Sequence, residues 1–220
     1  MKRTLSTTLA ASALLAGAAF IGPAKADIIF QTATPGTTPN GGVVLQGDGT
    51  SANSFLIGAS FTLTQQTDIT GIGAGFLTSA PGSSSGSIFG EIINLASPTS
   101  FPAQPVEALA SLSLANTVFT PTHDGDNFGG VELNLGPGTY GLILGSGLFG
   151  ATGFATVADN NVPNGPQNLF EDDFDSGTPP SIWDAGAPLD ARLFLVPEPA
   201  TIAMFGLGLG MLGLARRRIV

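Results

Sequence analysis

The stretch VELNLGPGTYGLIL, residues 131–144, decides the fold class. Val131, Leu133 and Leu135 alternate with Glu132 and Asn134, the period-two pattern of a half-buried strand. Tyr140, Leu142 and Leu144 resume that alternation. Between them Gly136-Pro137-Gly138-Thr139 reads as a type II turn, with Pro fixing φ at the second position and Gly supplying positive φ at the third. A hairpin is therefore expected over 131–144. Working outward, similar short segments rich in β-branched and aromatic residues recur: Ile28–Thr32, Gly42–Gln46, Ser54–Leu63, Ile69–Leu77, Ser87–Leu95, Thr117–Thr120, Phe154–Val157 and Ala191–Leu195. Val106–Leu114 fits either a strand or a short helix. Spacings of roughly 8–12 residues between turn-forming clusters are an all-β signal. Ala80–Gly86 and the acidic, Pro-rich stretch Asp159–Pro188 read as loops. The expected architecture is an antiparallel β-sandwich, jelly-roll-like, over residues 27–195.

Composition agrees. Gly numbers 31 and Pro 16, while charged residues are 10%, which disfavours helix-rich enzymes. Of 16 carboxylates all but Glu198 lie between Asp27 and Val196, where the basic residue is Arg192 alone. Such a body repels phosphate backbones, so nucleic acid is excluded as a partner. The absence of cysteine, and of lysine after Lys25, removes thiol and Schiff-base chemistry.

Both ends carry addresses. Lys2 and Arg3, the apolar run Leu5–Ile21, and Ala24-Lys25-Ala26 form a secretory signal peptide, residues 1–26, with signal peptidase expected to cut after Ala26. The C-terminus, residues 196–220, has three parts: Val196-Pro197-Glu198-Pro199, an uncharged apolar run over 200–215, and Arg216-Arg217-Arg218 in the basic tail 216–220. Sixteen residues at 1.5 Å rise give about 24 Å, enough for a single transmembrane helix with modest bilayer thinning. The arginines are expected to stay cytoplasmic and leave the body outside.

This tripartite tail resembles the PEP-CTERM sorting signal of exported bacterial proteins, also known as an ice-binding protein C-terminal domain. The resemblance implies recognition by an exosortase, a membrane-embedded transpeptidase-like enzyme. Processing is implied near Pro197, Glu198 and Pro199, with delivery to the cell surface or extracellular matrix of a Gram-negative bacterium. The body is similar to uncharacterised β-sandwich domains that precede such tails, through Ser60–Phe76, Leu133–Gly147 and Trp183.

Chemical motifs in the body are sparse. Gly82-Ser83-Ser84-Ser85-Gly86 matches a nucleophile elbow, with His123, the single histidine, as the base it would need. Gly145-Ser146-Gly147-Leu148-Phe149-Gly150 matches G-x-G-x-x-G without an amphipathic helix after it. Glu91, Glu107 and Glu132 are the carboxylates a glycosidase would draw on. The oxygen-rich loops 122–127 and 171–177 are the places where Ca²⁺ would be held, if any cofactor is. Trp183 is the candidate sugar-stacking contact. Thr-x-Thr pairs such as Thr32/Thr34 and Thr62/Thr64 are too scattered for an ice-binding ladder. The expectation is a non-enzymatic structural or adhesive protein of exopolysaccharide or biofilm. The alternatives are a carbohydrate-binding module and a secreted hydrolase.

Overall fold

A computed structural model of the chain describes residues 28–36, 42–47, 55–78, 84–159, 162–163, 169–172, 183–185 and 190–198. The expected signal peptide with Ala24 and Ala26, Pro199, the apolar run 200–215 and Arg216, Arg217 and Arg218 lie outside those residues. No helix among the described residues is long and apolar enough to cross a membrane.

The described body is antiparallel β-structure within one compact unit, Ile28–Pro197. In chain order its strands are β1 Phe30–Gln31, β2 Ala33–Thr34, β3 Gly42–Leu45, β4 Leu56–Leu63, β5 Thr67–Leu77, β6 Ser84–Ser85 and β7 Ile88–Asn94. After the short helix α1 Val106–Leu109 come β8 Ser113–Phe119, β9 Gly125–Leu135, β10 Gly138–Gly145 and β11 Phe154–Ala158. The last are β12 Val162–Pro163, β13 Leu169–Asp172, β14 Asp184–Ala185 and β15 Leu193–Pro197. Among the described residues a seven-stranded sheet runs β1-β15-β5-β11-β3, with β9 on β5 and β6 on β11. A six-stranded sheet runs β14-β13-β4-β10-β7-β8, and β12 pairs β2.

Alternation sorts side chains between the sheets. Ile57, Ala59 and Phe61 of β4, Ile72, Ala74 and Phe76 of β5, Leu142 and Leu144 of β10 and Leu193 and Leu195 of β15 fill a central core from both sides. The opposite face of the six-stranded sheet is buried as well. Leu56, Phe89, Ile93, Ile143 and Phe170 pack there beneath Leu95, Val106 and Leu109, Ala151 and Trp183. This second core needs a glycine at position 58, where a Cβ would stand 2.2 Å from the Phe170 ring.

Three expectations are corrected. Residues 131–144 are not a hairpin: β9 pairs β5 in one sheet, whereas β10 pairs β4 and β7 in the other. Gly136-Pro137 is an arch between sheets, and Gly138 does not take the positive φ of a type II turn. The Tyr140 hydroxyl donates to Gly136 O at 3.0 Å and braces the arch, as tyrosine corners do in other sandwiches. Val106–Leu114 is divided, α1 supplying Val106 and Leu109 to the second core before β8 begins at Ser113. The 159–188 loop contains strand: β13 joins the six-stranded sheet beside β4, because Phe170 finds burial there.

Candidate functional site

The sequence LFLVPEP, residues 193–199, is where the body meets the sorting signal. Leu193 and Leu195 point into the central core, while Phe194 lies across the opposite face of the sheet. A Cβ at Gly73 would stand 2.7 Å from Phe194 Cζ, so the neighbouring strand must carry glycine there. β15 is bonded on both edges, to β1 through Phe30↔Leu195 and to β5 through Leu195↔Ile72 and Val196↔Gly71. The strand therefore continues two residues past the expected boundary at 195.

Its end is irregular for a chemical reason. Pro197 has no N–H to donate to a ladder. The pairing shifts from Val196↔Gly71 to Pro197↔Ile69, which leaves Thr70 as the extra residue on β5. The pairing of β5 with β9 shifts at the same place. The freed Thr70 hydroxyl turns toward β15 and donates to Pro197 O at 2.9 Å, with Val196 O at 3.4 Å. A hydroxyl carries one hydrogen, so the shorter contact is the principal bond. Glu198 follows at once and is exposed.

The base of the same strand is held by Arg192. Its guanidinium is buried and makes two bonds to Asp126, Nε to Oδ1 at 2.8 Å and Nη2 to Oδ2 at 2.9 Å. Nη1 donates to Gln31 Oε1 and to Ala33 O, and the group lies 5.0 Å from the Phe194 ring centre. The single cation of the body is thus engaged with β9, β1 and β2.

A second polar feature sits in the second core. In IFGEIIN, residues 88–94, Ile88 and Ile92 face the central core while Phe89 and Ile93 face the second one. Glu91 shares the register of Phe89 and Ile93, opposite Asn116 of β8 and Ile143 of β10. It is fully buried and neither carboxyl oxygen reaches hydrogen-bonding geometry. Burial pushes its pKa up to about 8, against a smaller lowering influence of the nearby Ser113 hydroxyl. At neutral pH it is held chiefly as the neutral acid.

The other candidates scatter. Trp183 is no surface platform: it is buried edge-on to Phe170, its ring N–H donating to Gln104 O at 2.9 Å. Exposed Glu107 is on α1, exposed Glu132 on the seven-stranded sheet, and Glu91 inside the second core, so the three do not line one cleft. Ser84 lies in β6 against Ala155, and the His123 ring pairs with Thr122 Oγ1 at 3.2 Å. The side-chain oxygens of the 122–127 loop are engaged by other protein groups. Asp124 Oδ1 accepts from Thr78 N at 2.6 Å, Asn127 Oδ1 from Thr122 N at 3.0 Å, and Asp126 binds Arg192. The residues 145–150 close a tight loop in which Phe149 has φ 54° and packs on Phe89, with strand β11 rather than a helix next. Most of the 171–177 loop lies outside the described residues. Among the described residues no group of three metal-ligating side chains forms.

Thr70 and Glu91's burial are what sequence reading misses. A bulge has no sequence mark, but a glutamate amid Ile88-Phe89 and Ile92-Ile93 does signal a strand buried on both faces.

Residues 195–219 match the family model of the PEP-CTERM protein-sorting motif. No curated protein matches the chain. A signal of this kind implies export and processing at the membrane by an exosortase. The chain thus carries a PEP-CTERM protein-sorting motif whose first three residues, Leu195 to Pro197, belong to the last strand of its β-body.

Proposed function

We propose that the chain is a non-enzymatic structural or adhesive protein of a Gram-negative cell surface or exopolysaccharide matrix. Signal peptidase removes residues 1–26, and the apolar run 200–215 anchors the chain until processing. The observation that carries the reading is the sorting motif joined directly to a sheet-built body. The dispersal of Ser84, His123, Glu91, Glu107 and Glu132 favours a structural role over a hydrolase, since catalytic groups must converge. Screening the exported chain against ester and glycan substrates tests it. The expected outcome is no turnover; turnover lost on Glu91→Gln or Ser84→Ala would contradict the reading.

Carbohydrate binding is the second reading, and one surface residue favours it. Phe128 is 57% exposed on β9 and its ring covers the buried Gly71, leaving an apolar ring on the surface. Aromatic faces of this kind stack on apolar sugar faces. Phe128→Ala is expected to abolish exopolysaccharide retention and Trp183→Phe to leave it unchanged. Equal retention by wild type and Phe128→Ala would remove this reading.

A further inference from the structure

The motif that the exosortase reads begins inside a folded sheet. Leu195, Val196 and Pro197 are bonded to β5, Leu195 also to β1, and the strand end is closed by the Thr70 hydroxyl on Pro197 O. Enzymes that act on a polypeptide backbone take it as an extended segment whose own edge groups are free to pair with the enzyme. Here those groups are already in use. Only Glu198 and Pro199 separate the strand from the apolar run, so the chain offers no linker on which recognition could start.

We propose that Thr70 is a latch: release of Val196-Pro197 from Thr70 and Gly71 gates exosortase processing of this chain. The latch is weak by construction. Pro197 contributes no ladder donor, the pairing is already shifted, and one side-chain hydroxyl holds the terminal carbonyl. The rest of β15 is firm, with Leu193 and Leu195 in the central core and Arg192 tied to Asp126. The strand end therefore opens on its own, before the body does, and the body keeps its fold while the motif is read.

The test follows conversion of pulse-labelled full-length chain in a host with an intact exosortase. Thr70→Val keeps the shape and removes the hydroxyl; losing one such bond favours the open end and raises conversion about threefold to tenfold. Thr70→Ser keeps the donor and converts at the wild-type rate. Leu109→Ala, which weakens the second core far along the chain, leaves conversion unchanged although it lowers stability. The complementary variant locks the latch. A Cβ at position 71 would stand 3.2 Å from Val196 Cβ, a few tenths of an ångström inside the range a disulfide uses, and 2.9 Å from Phe128 Cδ2, so the strands ease apart slightly and the exposed ring turns aside. The native chain has no cysteine to compete. Oxidised Gly71→Cys/Val196→Cys chain is expected to accumulate unprocessed, and reduction to restore processing. Wild-type conversion of the oxidised pair, no acceleration in Thr70→Val, or equal acceleration in Leu109→Ala would each overturn the latch. In a host lacking the exosortase every variant is expected to keep its C-terminal tail after the signal peptide is removed; tail loss there would overturn the exosortase step on which the latch rests.

Discussion

The two cores of the body share one sheet and differ in what they bury. The central core lies between two sheets and is lined from both by alternating strand positions, including a stacked row Phe30–Phe61–Tyr140 with ring centres 5.2 and 5.5 Å apart. The second core lies on the outer face of the six-stranded sheet and is roofed by a loop, α1 and Trp183. It too is built of buried apolar side chains, yet it encloses Glu91, neither of whose carboxyl oxygens has a hydrogen-bond partner. An apolar core stabilises equally at any pH, whereas a core around a buried acid stabilises most while that acid keeps its proton. The difference teaches that burial alone does not make the two regions equivalent.

The largest expected effect separates them directly. The unfolded chain releases the Glu91 proton near its ordinary value of 4.5, the folded chain near 8. Between those values unfolding releases a proton, so stability falls as pH rises and reaches its floor above about pH 8. The full change is roughly 4–5 kcal/mol at 1.4 kcal/mol per pH unit. Thermal or urea melts of the exported chain from pH 4 to 9 are expected to show that decline in wild type and to lose it in Glu91→Gln. An equal slope in both would make the two cores alike.

Truncation sharpens the comparison next. Leu142→Ala in the central core is expected to cost about 3–5 kcal/mol, and Leu109→Ala under the α1 roof about 2–3 kcal/mol, because a loop-built roof can settle into the space. Arg192→Met, which unpairs Asp126 beside the central core, is expected to cost about 2 kcal/mol. That is less than a fully buried pair would cost, since Asp126 is 38% exposed. Tyr140→Phe removes the brace on Gly136 O and is expected to cost about 1 kcal/mol. Urea midpoints at pH 5, where Glu91 is protonated in the folded chain, rank these variants.

How far the sequence reveals this fold is clearest at 131–144. The alternation Val131-Leu133-Leu135 and Tyr140-Leu142-Leu144 locates two strands correctly, since each turns those residues toward the central core, although β10 also buries Ile143 on its other face. It does not tell a hairpin from an arch. Both strands turn the same residues toward the same core whether they lie side by side in one sheet or face each other across two. Pairing depends on distant partners, β5 for one strand and β4 and β7 for the other, and no local signal carries that. At the site the balance is similar. Pro197 and Glu198 are legible because the sorting motif is contiguous. Thr70 is not, because it stands 127 residues from the carbonyl it holds. Trp183 misleads because a Pro- and Asp-rich neighbourhood suggests exposure, while its ring is drawn under α1's side of the sheet by Phe170.

The sorting motif is the place where folded body and cellular address meet. Its most direct test is the size and location of the chain in paired hosts with and without an exosortase, with Pro197-Glu198-Pro199 intact or replaced by alanines. A form lacking the C-terminal tail, outside the membrane, is expected only when both the enzyme and the native motif are present, with tail-bearing, membrane-retained chain in the other three cases. The same size and location in all four would contradict it.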